Sequence, residues 1–286
     1  MIISIIGLGL IGGSLAIDLR EKGIAENIIG VENNTKNAND ALRIGLVDEI
    51  LDLDGAVAAA DLVIIAIPVD QTKKILPILL DKIKSTSVVM DVGSTKEGIC
   101  KIADSHIKRE NFVASHPIAG TENFGPLGAI PGLFNGKMTI ICDAESSAGF
   151  AISKVELLYN AIGMRIIKMN SHEHDLHAAY VSHLSHISSF TLGLTVLEIE
   201  KSEETIFELA GSGFASTVRL AKSSPDMWAP ILEQNSHHLS KALGAYIEKL
   251  SLFKELIEKN ETEKIRDLIK EANNIRRILD GKKLTL

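Results

Sequence analysis

Cysteine is nearly absent: the 286 residues contain two, Cys100 and Cys142, which form no C-x-x-C pair and cannot build a disulfide framework. Long apolar runs are missing as well. The longest, Leu62 to Val69, falls far short of the roughly 20 residues that span a bilayer. The opening MIISIIGLG has neither a basic leader nor a small-residue cleavage site, so no export signal is expected. Cations are not in excess: 30 Lys and Arg face 37 Asp and Glu, a net charge of −7, and both halves of the chain are acidic. Tight nucleic-acid binding needs clustered cations to displace counterions, and no such cluster is present. Seven prolines and 22 glycines are too few for low-complexity or collagen-like sequence. A cytoplasmic protein with neither a membrane nor a nucleic-acid partner is therefore expected.

What is present suits two packed domains. Hydrophobic residues make up 45% of the chain and charged residues 23%, and the length is about two domains at roughly 150 residues each. Up to Met169, short apolar segments alternate with helical stretches: Ile2–Ile6, Asn27–Glu32, Asp61–Ile67, Ser87–Val92, Asn111–His116, Met138–Cys142 and Met164–Met169 read as strands. Near-continuous apolar strands imply burial on both faces, hence an α/β fold with a doubly wound, mostly parallel sheet covered by helices. From Ser171 the strand signals stop and helical patterns run on, broken near Gly211–Gly213 and Pro225, with a mixed-charge amphipathic stretch from Phe253 to Leu279. The expected division is 1–169 and 170–286, joined by a direct strand-to-helix step near Asn170.

Gly7-Leu8-Gly9-Leu10-Ile11-Gly12 follows the first strand and opens a helix. In a G-x-G-x-x-G turn, Gly7 permits the tight bend, Gly9 lets backbone approach a pyrophosphate, and Gly12 allows close helix–strand packing. The free N–H groups of Leu10 and Ile11 then face the phosphates. Glu32 closes the second strand 20 residues beyond Gly12, where a carboxylate binds a ribose 2′-hydroxyl and repels a 2′-phosphate. This Rossmann-type pattern predicts NAD rather than NADP. Pro68 and Val69, after the Asp61–Ile67 strand, are placed to line the nicotinamide pocket; a simple strand stop is the equal alternative for Pro68.

Three further segments carry polar groups that need explaining. In Gly93-Ser94-Thr95-Lys96, either hydroxyl could cap the next helix. In Ser115-His116-Pro117-Ile118-Ala119-Gly120-Thr121-Glu122, an imidazole at a strand's carboxyl end suits general-base work near neutral pH. Between positions 172 and 186 lie five histidines, 172, 174, 177, 183 and 186. No H-E-x-x-H pattern or nearby cysteine accompanies them, so a substrate or cofactor contact is preferred to a metal site, and no metal is expected.

Together, SHPIAGTE, DVGSTK, HDLHAAYVSHLSH and STVRLAKSSPDMW resemble the prephenate dehydrogenase family of tyrosine biosynthesis, which includes arogenate dehydrogenases, over nearly the whole chain. The resemblance implies a dinucleotide-binding domain followed by an all-α domain that dimerises, as in 6-phosphogluconate dehydrogenase-like enzymes, and oxidative decarboxylation of prephenate. It implies that His116 accepts the proton of the ring hydroxyl and that Ser94 holds the same hydroxyl, beside the cofactor. It assigns Arg219 to a substrate carboxylate, with His186 and Trp228 in the same pocket, Thr121 and Glu122 at its mouth, and Asp175 tying the domains near the entrance. Where the family usually has proline within S-H-L-P-H, this chain has Ser185. The chain ends at Leu286, soon after the helices, so no appended regulatory domain is expected and any inhibition by tyrosine is expected at the active site.

Overall fold

The computed structural model describes residues 1–121, 123–203 and 205–279. Eight strands form one sheet: β1 (Ile2–Ile6), β2 (Asn27–Val31), β3 (Glu49–Ile50), β4 (Leu62–Ile65), β5 (Val88–Asp91), β6 (Phe112–Pro117), β7 (Met138–Cys142) and β8 (Arg165–Met169). Their spatial order is β3-β2-β1-β4-β5-β6-β7-β8, and only the β6–β7 pair is antiparallel. Seven strands match the sequence reading. The eighth, β3, is two residues long and carries no periodicity that a sequence could show.

Helices α1 (Leu10–Glu21), α2 (Thr35–Arg43), α3 (Leu53–Ala59), α4 (Val69–Lys82), α5 (Glu97–Asp104) and α6 (Gly149–Ala161) belong to the alternating region. Successive strand residues point to opposite faces, and the core divides accordingly. Ile3, Ile5, Leu62, Ile64, Val88, Met90 and Val113 pack with Leu15 and Leu19 of α1 and with Val155 and Leu158 of α6. Ile6, Val63, Ile65, Val89, Phe112 and Ala114 pack on the other face with Leu76 and Leu80 of α4 and Ile99 and Ala103 of α5. Burial on both faces is why the strands read as unbroken apolar runs.

The sheet order reverses between β1 and β4, and the crevice beyond their carboxyl ends is where an open parallel sheet takes its ligand. Strand β8 ends at Met169 and α7 (Ser171–Ala178) begins two residues later, with the Asn170 side chain accepting from Glu173 N at 2.7 Å as its cap. A π-helical turn, Ala179–His183, joins α7 to α8 (Leu184–Glu200) without a break in direction. Then come α9 (Ser212–Thr217), the 3-10 turn Arg219–Lys222, α10 (Pro225–Gln234) and α11 (Ser236–Glu258).

By packing, Met1–Leu239 forms one compact unit and Ser240–Leu286 a second. The site described below lies wholly within the first. In the second, the stretch expected as one amphipathic helix is broken: α11 ends at Glu258, α12 spans Thr262–Ala272 and α13 Ile275–Leu279. Asn260 sits in the left-handed region (φ 54°) between the first two, as helix-ending residues often do. Among the described residues no helix is long and apolar enough to cross a membrane.

Candidate active site

The glycine turn is fixed by close approach. Gly7 has φ 92°, and a Cβ there would lie 2.5 Å from Ala66 O, in the loop after β4. A Cβ on Gly12 would lie 2.0 Å from Gly7 O. Gly9 differs: a Cβ there would meet nothing within 4 Å, so the backbone beside the start of α1 faces open space. Helix geometry leaves the N–H groups of Leu10 and Ile11 free at that point. Glu32, just past β2, is held by two backbone donors, Leu8 N to Oε2 at 3.2 Å and Asn34 N to Oε1 at 2.9 Å. Open space, free amides and an oriented carboxylate fit an adenine dinucleotide without a 2′-phosphate.

Across the crevice, His116 near the end of β6 starts a chain of hydrogen bonds. Its Nδ1 lies 2.9 Å from His174 Nε2, and His174 Nδ1 lies 2.7 Å from Asp175 Oδ1. The same carboxylate accepts from the first amides of α5, Lys96 N at 2.8 Å and Glu97 N at 2.9 Å. Asp175 therefore caps α5 from a distant element, and neither Ser94 nor Thr95 does: the cap residue is Lys96, with no side-chain cap bond. Burial alone would raise the Asp175 carboxyl, but the hydrogen bond and charge of His174, with the two amides, hold it below the usual range. An ionised Asp175 fixes the tautomers. His174 donates from Nδ1 and accepts at Nε2, so His116 donates from Nδ1 and presents an unprotonated Nε2. Burial is the main cause that lowers the His116 pKa well below that of a free imidazole, and the neighbouring His174, Lys96 and His183 further disfavour a positive charge on it. The ring is neutral at physiological pH.

Beneath this chain lies a fully buried ion pair between Lys96 and Asp91, at the end of β5. Lys96 Nζ also donates to Ser115 O at 2.7 Å, and the Ser115 hydroxyl lies 2.6 Å from both Asp91 O and Tyr159 Oη. Burial pushes the Asp91 carboxyl upward while the Lys96 ammonium opposes it. The two cysteines are buried and free, and burial raises both thiols, so they stay protonated and inert.

The helical side is organised around Trp228 of α10. His186 stacks on its ring at 3.5 Å between centroids, inclined 25°, and His183 meets it edge-on at 5.8 Å. His183 is buried with Nδ1 3.1 Å from Asn235 Nδ2, which also donates to Asp175 O at 2.7 Å. Burial lowers His183 to about 4, the charges of His174 and His186 adding while Asp175 opposes. Burial also lowers His186, helped by the Arg219 guanidinium and opposed by its hydrogen bond to Ser182 O. Arg219 is exposed, and the buried Trp228 Nε1 has no partner among the described residues.

Other residues singled out in the sequence fall elsewhere. Ser94 is half-buried in the β5–α5 turn, and its hydroxyl makes no hydrogen bond among the described residues. Thr121 is exposed, its Oγ1 accepting from Asn123 N at 3.1 Å. Glu122 lies outside the described residues. Pro68 is exposed at the start of α4, whereas Val69 is buried in the core facing Gly93. Sequence reasoning gave no role to Lys96 and did not separate His174 and His183 from their neighbours. The one local signal for Lys96 is Asp91, a carboxylate inside a buried strand that must find a cation.

The chain matches two family models, "Prephenate dehydrogenase, nucleotide-binding domain" over residues 15–168 and "Prephenate dehydrogenase, dimerization domain" over 170–271. It is 30% identical to the prephenate dehydrogenase of Bacillus subtilis over 94% of this chain and 74% of that one. It is 29% identical to the cyclohexadienyl dehydrogenase of Zymomonas mobilis over 96% and 94%. A solved structure of prephenate dehydrogenase from Aquifex aeolicus, in complex with hydroxyphenyl propionate and NAD+, superposes with TM-score 0.89 at 29% identity, covering 98% of each chain. Synechocystis arogenate dehydrogenase gives a TM-score of 0.75 at 26% identity, covering 98% of this chain and all of that one.

Proposed function

Because the chain belongs to the prephenate dehydrogenase family, we propose that it converts prephenate to 4-hydroxyphenylpyruvate and carbon dioxide, with NAD+ held over the Gly7–Gly12 turn. The observation that carries this reading is the His116–His174–Asp175 chain, which presents one neutral imidazole nitrogen, without a partner among the described residues, at the end of β6.

Prephenate is a cyclohexadienyl ring with a 4-hydroxyl, a ring carboxylate and a pyruvyl side chain. When bound, NAD+ supplies the acceptor for the hydride from the hydroxyl-bearing carbon. His116 Nε2 accepts the hydroxyl proton as the hydride leaves; the ring carboxylate then departs as carbon dioxide, its bonding pair makes the ring aromatic, and the phenolate oxygen takes the proton back from His116. Positive charge formed on His116 is spread through His174 to Asp175, which faces two backbone donors. A positioned base of this kind contributes about 10²–10⁴-fold; orientation supplies much of the rest. Arg219 grips a substrate carboxylate, its planar guanidinium matching the two oxygens. His186, Thr121 and Trp228, whose Nε1–H has no partner among the described residues, complete the pocket, and Ser94 holds the ring hydroxyl.

Residues 1–169 serve as the dinucleotide-binding domain and 170–286 as the substrate and dimerisation domain, acting in the cytoplasm. Helix α8 supports a homodimer: its sequence LSHISSFTLGLTVLEIE is largely apolar, yet Ser189 is its one buried residue, and Leu194, Leu197 and Ile199 are exposed. Any inhibition by tyrosine, which resembles the product, acts at the same pocket, competitively with prephenate.

The test is reduced-cofactor absorbance with NAD+ or NADP+ against prephenate or arogenate. Prephenate with NAD+ is the expected best pair. A higher kcat/KM with arogenate would move the assignment to arogenate dehydrogenase, and no turnover of either substrate would leave only dinucleotide binding.

A further inference from the structure

A second group of donors converges where three helices begin. Glu97 is the first residue of α5, His172 the second of α7 and His238 the third of α11. None of these side chains belongs to the His116 chain. Glu97 Oε2 lies 3.4 Å from His172 Nδ1 and 3.2 Å from His238 Nε2, and one ligand atom from each residue falls within 4.8 Å of the others. Two atoms bound tetrahedrally to a zinc ion at about 2.0–2.1 Å are themselves about 3.3 Å apart. The carboxylate oxygen therefore already stands at ligand spacing from both imidazoles. The two rings are inclined by 72° with centroids 4.7 Å apart, an edge contact and not a face-to-face stack.

We propose that Glu97, His172 and His238 bind one divalent transition-metal ion of the zinc class, with a fourth position left for water. The donor set decides the class. Two neutral imidazoles and one carboxylate suit zinc, whereas magnesium and calcium take oxygen ligands. The His238 side chain is only 6% exposed, against 64% for His172 and 49% for Glu97. One ligand is thus fixed by packing while two can close on an ion arriving from solvent. The bound ion ties together the first turns of α5, α7 and α11. The first amides of α5 are the ones that hold Asp175, so the ion clamps the helix end on which the His116 chain terminates. This role is structural and separate from the dehydrogenase chemistry.

The test is zinc uptake by the full-length protein after treatment with a chelator, followed by calorimetry and thermal melting. One Zn²⁺ per chain is expected, with a rise in melting temperature that Mg²⁺ does not reproduce. Losing even an outer partner of a metal site weakens binding about 10- to 100-fold, so His172→Ala should weaken it at least that much. His172 is exposed, so this variant keeps its fold. His238→Gln, at the buried position, should lose binding as well, with dinucleotide affinity as the control for folding. No uptake by the parent protein, or uptake unchanged in both His172→Ala and His238→Gln, would overturn the proposal.

Discussion

The two sides of the crevice are held by different physics. On the glycine side, hard contacts between neighbouring turns fix the backbone: Gly7 against Ala66 O, Gly12 against Gly7 O. On the histidine side, hydrogen bonds span long stretches of chain. His116 to His174 crosses 58 residues, Asn235 to Asp175 crosses 60, and Lys96 N to Asp175 crosses 79. A sterically defined turn fails when an atom is added, whereas a polar chain fails when a donor, an acceptor or a charge is removed. The same distinction tells which part of a site a sequence can reveal.

The largest expected effect is on the polar side. His116→Ala should lower kcat by about 10²–10⁴-fold while leaving NAD+ affinity unchanged, measured by steady-state kinetics and calorimetry. A parallel loss of NAD+ binding would mean that the two sides are not separable. Next comes Lys96→Met, which leaves Asp91 buried without its cation and should cost about 3–5 kcal/mol in chemical denaturation. Replacing both partners with apolar residues should recover most of that loss, because the penalty belongs to the orphaned charge.

Acid should act on the same side. His183 folds with a pKa of about 4, whereas the free imidazole has about 6.5. The unfolded chain therefore binds a proton that the folded chain refuses. No penalty exists above pH 6.5; it grows as pH falls and is complete below about 4, on the order of 3 kcal/mol. The kcat acid limb should likewise lie below 6.5, because His116 is lowered too. A stability that stays flat from pH 7 to 4 would contradict a neutral, buried His183. Arg219→Ala should raise KM for prephenate about 10- to 100-fold with a smaller change in kcat, the worth of a charge-assisted hydrogen bond. The smallest effect tests the glycine side. Gly9→Ala adds a methyl group to open space, so stability should change by no more than about 0.5 kcal/mol. NAD+ binding should nevertheless weaken about tenfold or more, since that space is where the pyrophosphate would lie.

Legibility follows the same division. The parallel sheet, the glycine turn and Glu32 are encoded over short stretches, because burial on two faces writes unbroken apolar strands and a tight turn writes glycine. Ile2–Ile6 was readable to the residue. Strand β3 was not, since two residues that pair only with β2 leave no period. Among the site residues, His116 stood out by its place at a strand end. His174 and His183 did not, because their partners His116 and Asn235 lie 58 and 52 positions away, and Lys96 is marked only by Asp91 five residues before it, whose complete burial no local pattern records. Ser94 and Thr95 looked like helix caps on composition alone; a carboxylate 79 residues away took that role from them.

The π-helical turn at Ala179–His183 has a geometric consequence for the whole helical side. His174 and His186 are twelve positions apart, and in an uninterrupted α-helix they would diverge by about 120° around the axis. A π turn absorbs about one surplus residue, so the two imidazoles regain nearly the same azimuth after three turns. Deleting a single residue such as Ser182 would therefore leave eleven intervals on a regular helix with the two rings still within about 20°, whereas a deletion elsewhere that left the π turn in place would swing everything downstream through about 100°. Within this rod, the Ser185 hydroxyl donates back to Val181 O at 3.4 Å. A change of length is accepted only where the π turn can take it up, because the phase of the helix decides which way the histidines look.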